Sequence, residues 1–135
     1  MSENAKAQYP DILSSGEMGP CITVAIYDTI RKCGYMSHQP GAEHNNNLEN
    51  FITDTLSICE KGDVTVFVCG GTIDKGDEWV TPESVKNSRA YVKKLVFSHF
   101  DKKQVQISWG HAGTSSELIL NTLNGEFSIE RTKYQ

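Results

Sequence analysis

The apolar positions of the chain fall into short blocks with two different periods. Residues 21–27 (CITVAIY) and 64–69 (VTVFVC) are continuous runs of β-branched and aromatic side chains bounded by turn formers, a pattern that predicts strands buried on both faces. Asp28-Thr29-Ile30-Arg31 suits a reversal of the first run, with residues 32–38 as the returning arm. Val105, Ile107 and Trp109 alternate with polar residues and predict a third strand, followed by a loop from Gly110 to Gly113. Residues 116–121 and 126–130 flank Asn124-Gly125, and because both of those residues tolerate positive φ they predict a closing hairpin.

Helical spacing occurs twice. Leu48, Phe51, Ile52, Leu56 and Cys59 recur on one face behind cap-competent asparagines, and Gly62 ends the pattern. Thr81 as N-cap with Pro82 at the first helical position opens a second helix with the stripe Val85, Val92, Leu95 and Val96. Two stretches carry neither period, the first dozen residues and the polar run 39–47, and both read as linker-like. The order hairpin, helix, strand, helix, strand, hairpin predicts an α+β domain over residues 13–135, preceded by a flexible segment 1–12. Its core is expected to be layered, mostly antiparallel and β-sandwich-like, flanked by two main helices. A doubly wound nucleotide fold would need more regular βαβ alternation.

Length and charge narrow the function classes. At 135 residues the chain suits one domain, and folding at that size buries about two-thirds of the exposed surface, so no metal or disulfide staple is required. The net charge is −4 and no Lys/Arg run exceeds two residues, which argues against a nucleic-acid partner. No run approaches the roughly 18 apolar residues of a membrane span, and the N-terminal stretch lacks the apolar segment of a signal peptide. The expectation is a soluble, cytoplasmic protein without membrane insertion, with Cys21, Cys33, Cys59 and Cys69 as free thiols.

Equal hairpin arms at 21–27 and 32–38 place Cys21 directly opposite His38, with Cβ atoms about 4.5–5.5 Å apart. The same register pairs Thr23 with Met36 and Ala25 with Gly34, which leaves small residues beside Cys21; a slip of one residue would turn His38 to the other face. The pairing matters because a thiol is mostly protonated at neutral pH, whereas an adjacent imidazole can take its proton and leave a thiolate that attacks a carbonyl. Gly16, Gly19 and Pro20 precede Cys21 as a tight turn where N–H groups can converge on an oxyanion, although Pro20 supplies none. The alternative is plain: Cys21 as a small apolar residue opening a core strand, and His38 as a polar strand end.

Residues 16–28 (GEMGPCITVAIYD) and 34–38 (GYMSH) resemble the signature of the CheD family of chemoreceptor glutamine deamidases. That family has a Gly-x-Gly-Ser-Cys turn, an apolar strand ending Tyr-Asp and a Gly-x-x-His segment. Residues 66–71 (VFVCGG) resemble its central strand and glycine pair, residues 84–95 its helix, and residues 120–127 (LNTLNGEF) its closing hairpin. The resemblance implies Cys21 and His38 as the catalytic pair, with Ser15 at the position of the family's active-site threonine. The substrate it implies is a glutamine side chain of a protein, in the family a signalling receptor; read from position, Gly19 in the turn before Cys21, Gly70 and Gly71 by close backbone approach beside the cleft, and Thr72 just past that pair are the expected substrate-side residues. The wider superfamily includes the deamidating domain of cytotoxic necrotizing factor toxins and N-terminal asparagine amidases. Here Pro20 replaces the usual serine, and Gln39-Pro40-Gly41 replaces an apolar segment.

Other residues add little chemistry. Gly70-Gly71 lacks the following glycine and lysine of a phosphate loop. Cys33, His38 and His44 fit no zinc spacing, so neither metal nor cofactor is expected. His99 sits at a helix end, His111 in a loop, and Trp79 before the second helix as a core lid or partner contact; Cys59 and Cys69 read as packing residues. Two readings stand beside the deamidase. An N-terminal Asn/Gln amidase would need a carboxylate such as Glu17 or Glu43 for a free ammonium group. A catalytically silent module would bind a protein through the 39–47 loop.

Overall fold

A computed structural model describes residues 3–9, 11–39, 46–74 and 81–133. The strands are β1 (Glu3–Gln8), β2 (Ile12–Met18), β3 (Ile22–Asp28), β4 (Cys33–Gln39), β5 (Val64–Gly70), β6 (Val105–Trp109), β7 (Thr114–Asn121) and β8 (Glu126–Lys133). The helices are α1 (Asn47–Leu56) and α2 (Pro82–His99), and single 3-10 turns precede β5 and β6. One sheet runs β1-β4-β3-β5-β6 and a second runs β2-β7-β8. Only β5 and β6 are parallel, because α2 carries the chain back between them; every other described pair is antiparallel. The architecture is an α+β fold with a two-sheet, mostly antiparallel β core and two helices.

β3 is the centre of this arrangement, and all seven of its residues are buried. Ile22, Val24 and Ile26 pack with Leu48, Phe51 and Ile52 of α1 and Val92 and Val96 of α2. On the opposite face Ala25 and Tyr27 pack with Leu118 and Leu120 of the second sheet. A strand covered on both faces needs an unbroken apolar run, which is why residues 21–27 lack polar alternation. Each fully buried Ile, Leu or Val contributes about 1.5–3 kcal/mol. The two helices therefore cover one face of the large sheet and the three-stranded sheet covers the other.

The N-cap of α2 forms as its residues predict: Ser84 N–H donates to Thr81 Oγ1 at 3.1 Å and Thr81 N–H to Ser84 Oγ at 3.0 Å. α1 stops at Leu56, earlier than its apolar spacing suggests, and Cys59 reaches the core from the turn that follows. The N-terminal stretch differs most from expectation. Glu3–Gln8 is an edge strand on β4 rather than part of a flexible lead, and Ile12–Met18 opens the second sheet. β1 is polar and β2 is apolar only at Ile12, Leu13 and Met18, so their conformation is set by the strands they meet rather than by their own propensity. In β2, Leu13 and Met18 both point inward although five residues apart. Strict alternation forbids this, and a bulge between Ser14 and Glu17, with Gly16 at φ +70°, restores the phase.

Candidate active site

The chain leaves the second sheet at Met18, crosses at Gly19-Pro20, and joins the large sheet at Cys21, one residue before β3. The β3–β4 register pairs Thr23 with His38 and Ile22 with Gln39. The expected direct opposition of Cys21 and His38 is therefore displaced by two residues, because the reversing loop occupies 29–32 rather than 28–31. A two-residue displacement preserves the face. Cys21 continues the alternation of Thr23, so Cys21 and His38 occupy diagonal positions on the side of the second sheet, where backbone positions of this kind lie about 7–8 Å apart.

Cys21 is half-buried, whereas Cys33, Cys59 and Cys69 are buried. Burial pushes the Cys69 thiol up to about 12. Burial also raises Cys59, with Asp28 accepting from it as the next cause. Neither can supply a thiolate near neutral pH. Cys21 alone has solvent access.

Ser15 and His38 share a cleft of about 80 Å³ with Asn4, Ala5, Ser14 and Met36, which brings the bulge of β2 against β4. Cys21 does not line this cleft. The Ser15 hydroxyl is engaged by the backbone: it donates to Gly16 O at 2.6 Å and accepts from Leu118 N–H at 2.9 Å. Ser15 thus faces the imidazole's cleft without orienting the ring directly.

The four residues expected around a substrate fall beside Cys21. Gly71 N–H donates to Cys21 O at 2.8 Å, and Thr72 N–H donates to Gly19 O at 3.0 Å. Gly70 and Gly71 have φ of +93° and +63°, and a Cβ on Gly70 would collide with the Cys21 carbonyl. Only glycine meets both demands there. Thr72 is 2% exposed, its hydroxyl has no hydrogen-bond partner, and it packs against Gly110. Its side chain therefore lines no open surface, and the residue contributes to the site through its backbone.

Glu17 is exposed on the bulge, His111 is exposed in the loop before β7, and His99 ends α2. Glu43, His44, Trp79 and most of the 39–47 loop lie outside the described residues. Among the described residues no cluster of three or more His, Cys, Asp or Glu could hold a metal. No helix is long and apolar enough to cross a membrane.

Sequence reasoning passed over Arg89. It occupies the seam of α2 between Val85 and Val92, and its Nε donates to Gly71 O at 2.7 Å. Its guanidinium lies 5.1 Å from the centre of the Trp109 ring. The signal was the placement of a charged residue at helical spacing within an apolar stripe. Compared with family models and with curated proteins, the chain matches none.

Proposed function

We propose that the protein is a cysteine-dependent amidohydrolase that converts glutamine side chains of a protein substrate to glutamate. The observation that carries the reading is the half-exposed Cys21 on the same face as His38, at the open end of the β3–β4 hairpin. The similarity of residues 16–28 and 34–38 to the CheD signature supports the same pair.

In this mechanism His38 accepts the Cys21 proton, and the thiolate adds to the carboxamide carbon while the C=O π pair moves to oxygen. The oxyanion collapses, the C–N bond breaks, and imidazolium protonates the departing ammonia. Water then attacks the thioester as His38 takes its proton, and the C–S bond breaks to release glutamate and regenerate the thiolate. The diagonal placement requires the two side chains to lean toward each other, a reach available to an imidazole and a thiol across one ladder diagonal. No cofactor enters the cycle.

A second reading, the silent binding module, is favoured by the backbone engagement of the Ser15 hydroxyl, which donates to Gly16 O and accepts from Leu118 N–H. The two separate on ammonia release from glutamine-containing proteins, followed with the mass increase of each converted side chain. Turnover by the native protein and at least ~10³-fold less by Cys21→Ala supports the enzyme. Equal ammonia release from both proteins, or none from either, overturns it.

A further inference from the structure

Cys21 and Gly71 are opposed at the end of the β3–β5 ladder, one step beyond the Ile22–Gly70 pair. In an antiparallel pair of this kind two residues normally exchange two hydrogen bonds, each donating its N–H to the other's carbonyl. Here the exchange is one-sided. Gly71 N–H donates to Cys21 O at 2.8 Å, while the Cys21 N–H donates to none of the described acceptors.

The reason lies in Gly71 and α2. With φ at +63° Gly71 leaves the extended conformation, and its carbonyl is taken instead by Arg89 Nε at 2.7 Å from the helix side of the sheet. The same side chain approaches Gly110 O through Nη2 at 3.4 Å and stacks on Trp109. Gly110 N–H in turn donates to Gly70 O at 2.7 Å. Arg89 thus ties the carboxyl ends of the parallel strands β5 and β6 at the point where they meet the cysteine segment. Burial lowers the Arg89 pKa, and among the described residues no carboxylate pairs with it. A half-buried guanidinium that spends its donors on carbonyls is a costly structural element.

We infer that Arg89 is a positioning residue that holds the Gly71 carbonyl out of the ladder and so leaves the Cys21 N–H open as the oxyanion donor. The inference rests on the amidohydrolase reading for its catalytic consequence but not for its geometry. An N–H at the nucleophile's own position lies next to the carbon that the sulfur attacks, and Pro20 removes the preceding residue as a source of such a donor. In the simplest alternative Arg89 only fastens α2 to the sheet, and the state of the Cys21 amide is independent of it.

Two measurements on the full chain separate these accounts. Amide exchange of Cys21, followed by NMR in native protein, Arg89→Gln and Arg89→Lys, reads the geometry without any substrate. The expected result is fast exchange in the native protein and at least tenfold slower exchange in Arg89→Gln, as the Gly71 carbonyl returns to the ladder. Arg89→Lys, which can still reach that carbonyl, is expected to remain close to native. Equal Cys21 exchange in native and Arg89→Gln proteins that both keep their folded spectra overturns the inference. With a turned-over glutamine substrate, Arg89→Gln is expected to lose about 10²–10³ in kcat with KM nearly unchanged, the effect of removing one oxyanion donor. A raised KM at constant kcat likewise overturns it. If the native protein turns over no glutamine substrate while the exchange contrast is present, the amidohydrolase reading fails and the assignment of Arg89 stands.

Discussion

The two ends of the β3–β4 hairpin carry similar chemical groups in opposite circumstances. At the closed end Asp28, Cys33, Tyr35 and Cys59 meet under α1, all buried. Asp28 accepts from the N–H groups of Ile30 and Arg31 at 3.0 Å each and pairs with the Arg31 guanidinium at 3.1 Å. Burial raises both the Cys59 thiol and the Tyr35 hydroxyl above their ordinary values. At the open end Cys21 has solvent on one side and a ladder that loses one of its hydrogen bonds, with His38 across the diagonal. A thiol beside a polar partner is common to both ends. What differs is whether the surroundings finish the hydrogen-bonding of every group or leave one unfinished beside a solvent-accessible thiol.

The largest effect expected from breaking this contrast is at His38. His38→Ala should lower glutamine turnover by about 10²–10⁴-fold, the usual contribution of a positioned acid–base group. Its pH–rate profile should also lose the limb that reports imidazole ionisation. Melting temperature should change little, since the residue is half-exposed at a strand end. Retained turnover in a folded variant would remove the distinction between the two ends.

How much of this was legible beforehand follows the same division. β3, β5, α2 and the final hairpin were visible because continuous apolar runs, a Thr-Pro helix start and Asn-Gly each impose a local geometry. The hairpin register differs by two residues from the equal-arm expectation because residues 28–32 offer several equivalent reversals. The structure selects the one in which Asp28 caps the loop and Lys32 takes φ +53°. β1 and β2 were illegible, since Asn4, Lys6, Ser14 and Ser15 form strands only against β4 and β7. For the candidate site, the spacing of Cys21 and His38 made their shared face of the sheet legible. The backbone role of Gly71, the engagement of Ser15 and the reach of Arg89 are long-range contacts that no local pattern encodes.

A smaller effect is expected from the closed end, and on stability rather than on turnover. Burial alone would raise the Asp28 carboxyl, but the N–H and guanidinium of Arg31 and the N–H of Ile30 outweigh it and hold the pKa below 3.8. A carboxylate whose pKa is depressed by folding stabilises fully above its unfolded value, and the contribution disappears as pH falls through the folded value. Asp28→Asn should therefore cost about 1.5–3 kcal/mol at pH 7, the range of hydrogen bonds to a charged group. Native protein should lose stability relative to the variant on acidification below about pH 4, measured by urea unfolding across pH. A constant difference between the two at every pH would show that the carboxylate charge contributes nothing, while glutamine turnover is expected to be the same in both proteins.

The mildest probe leaves the sequence untouched. Limited iodoacetamide near pH 7.5, read by peptide mass spectrometry, should modify Cys21 at least tenfold faster than Cys33, Cys59 or Cys69, because only Cys21 combines solvent access with a neighbouring imidazole. Cys69, with its pKa pushed to about 12, should remain unmodified until the protein is unfolded. Exposure and activation contribute separately to the rate, and His38→Ala divides them: loss of the tenfold preference in that variant assigns it to the imidazole, whereas an unchanged preference assigns it to exposure alone. In the latter case the open end would be merely accessible, and its difference from the buried thiols under α1 would carry no catalytic meaning.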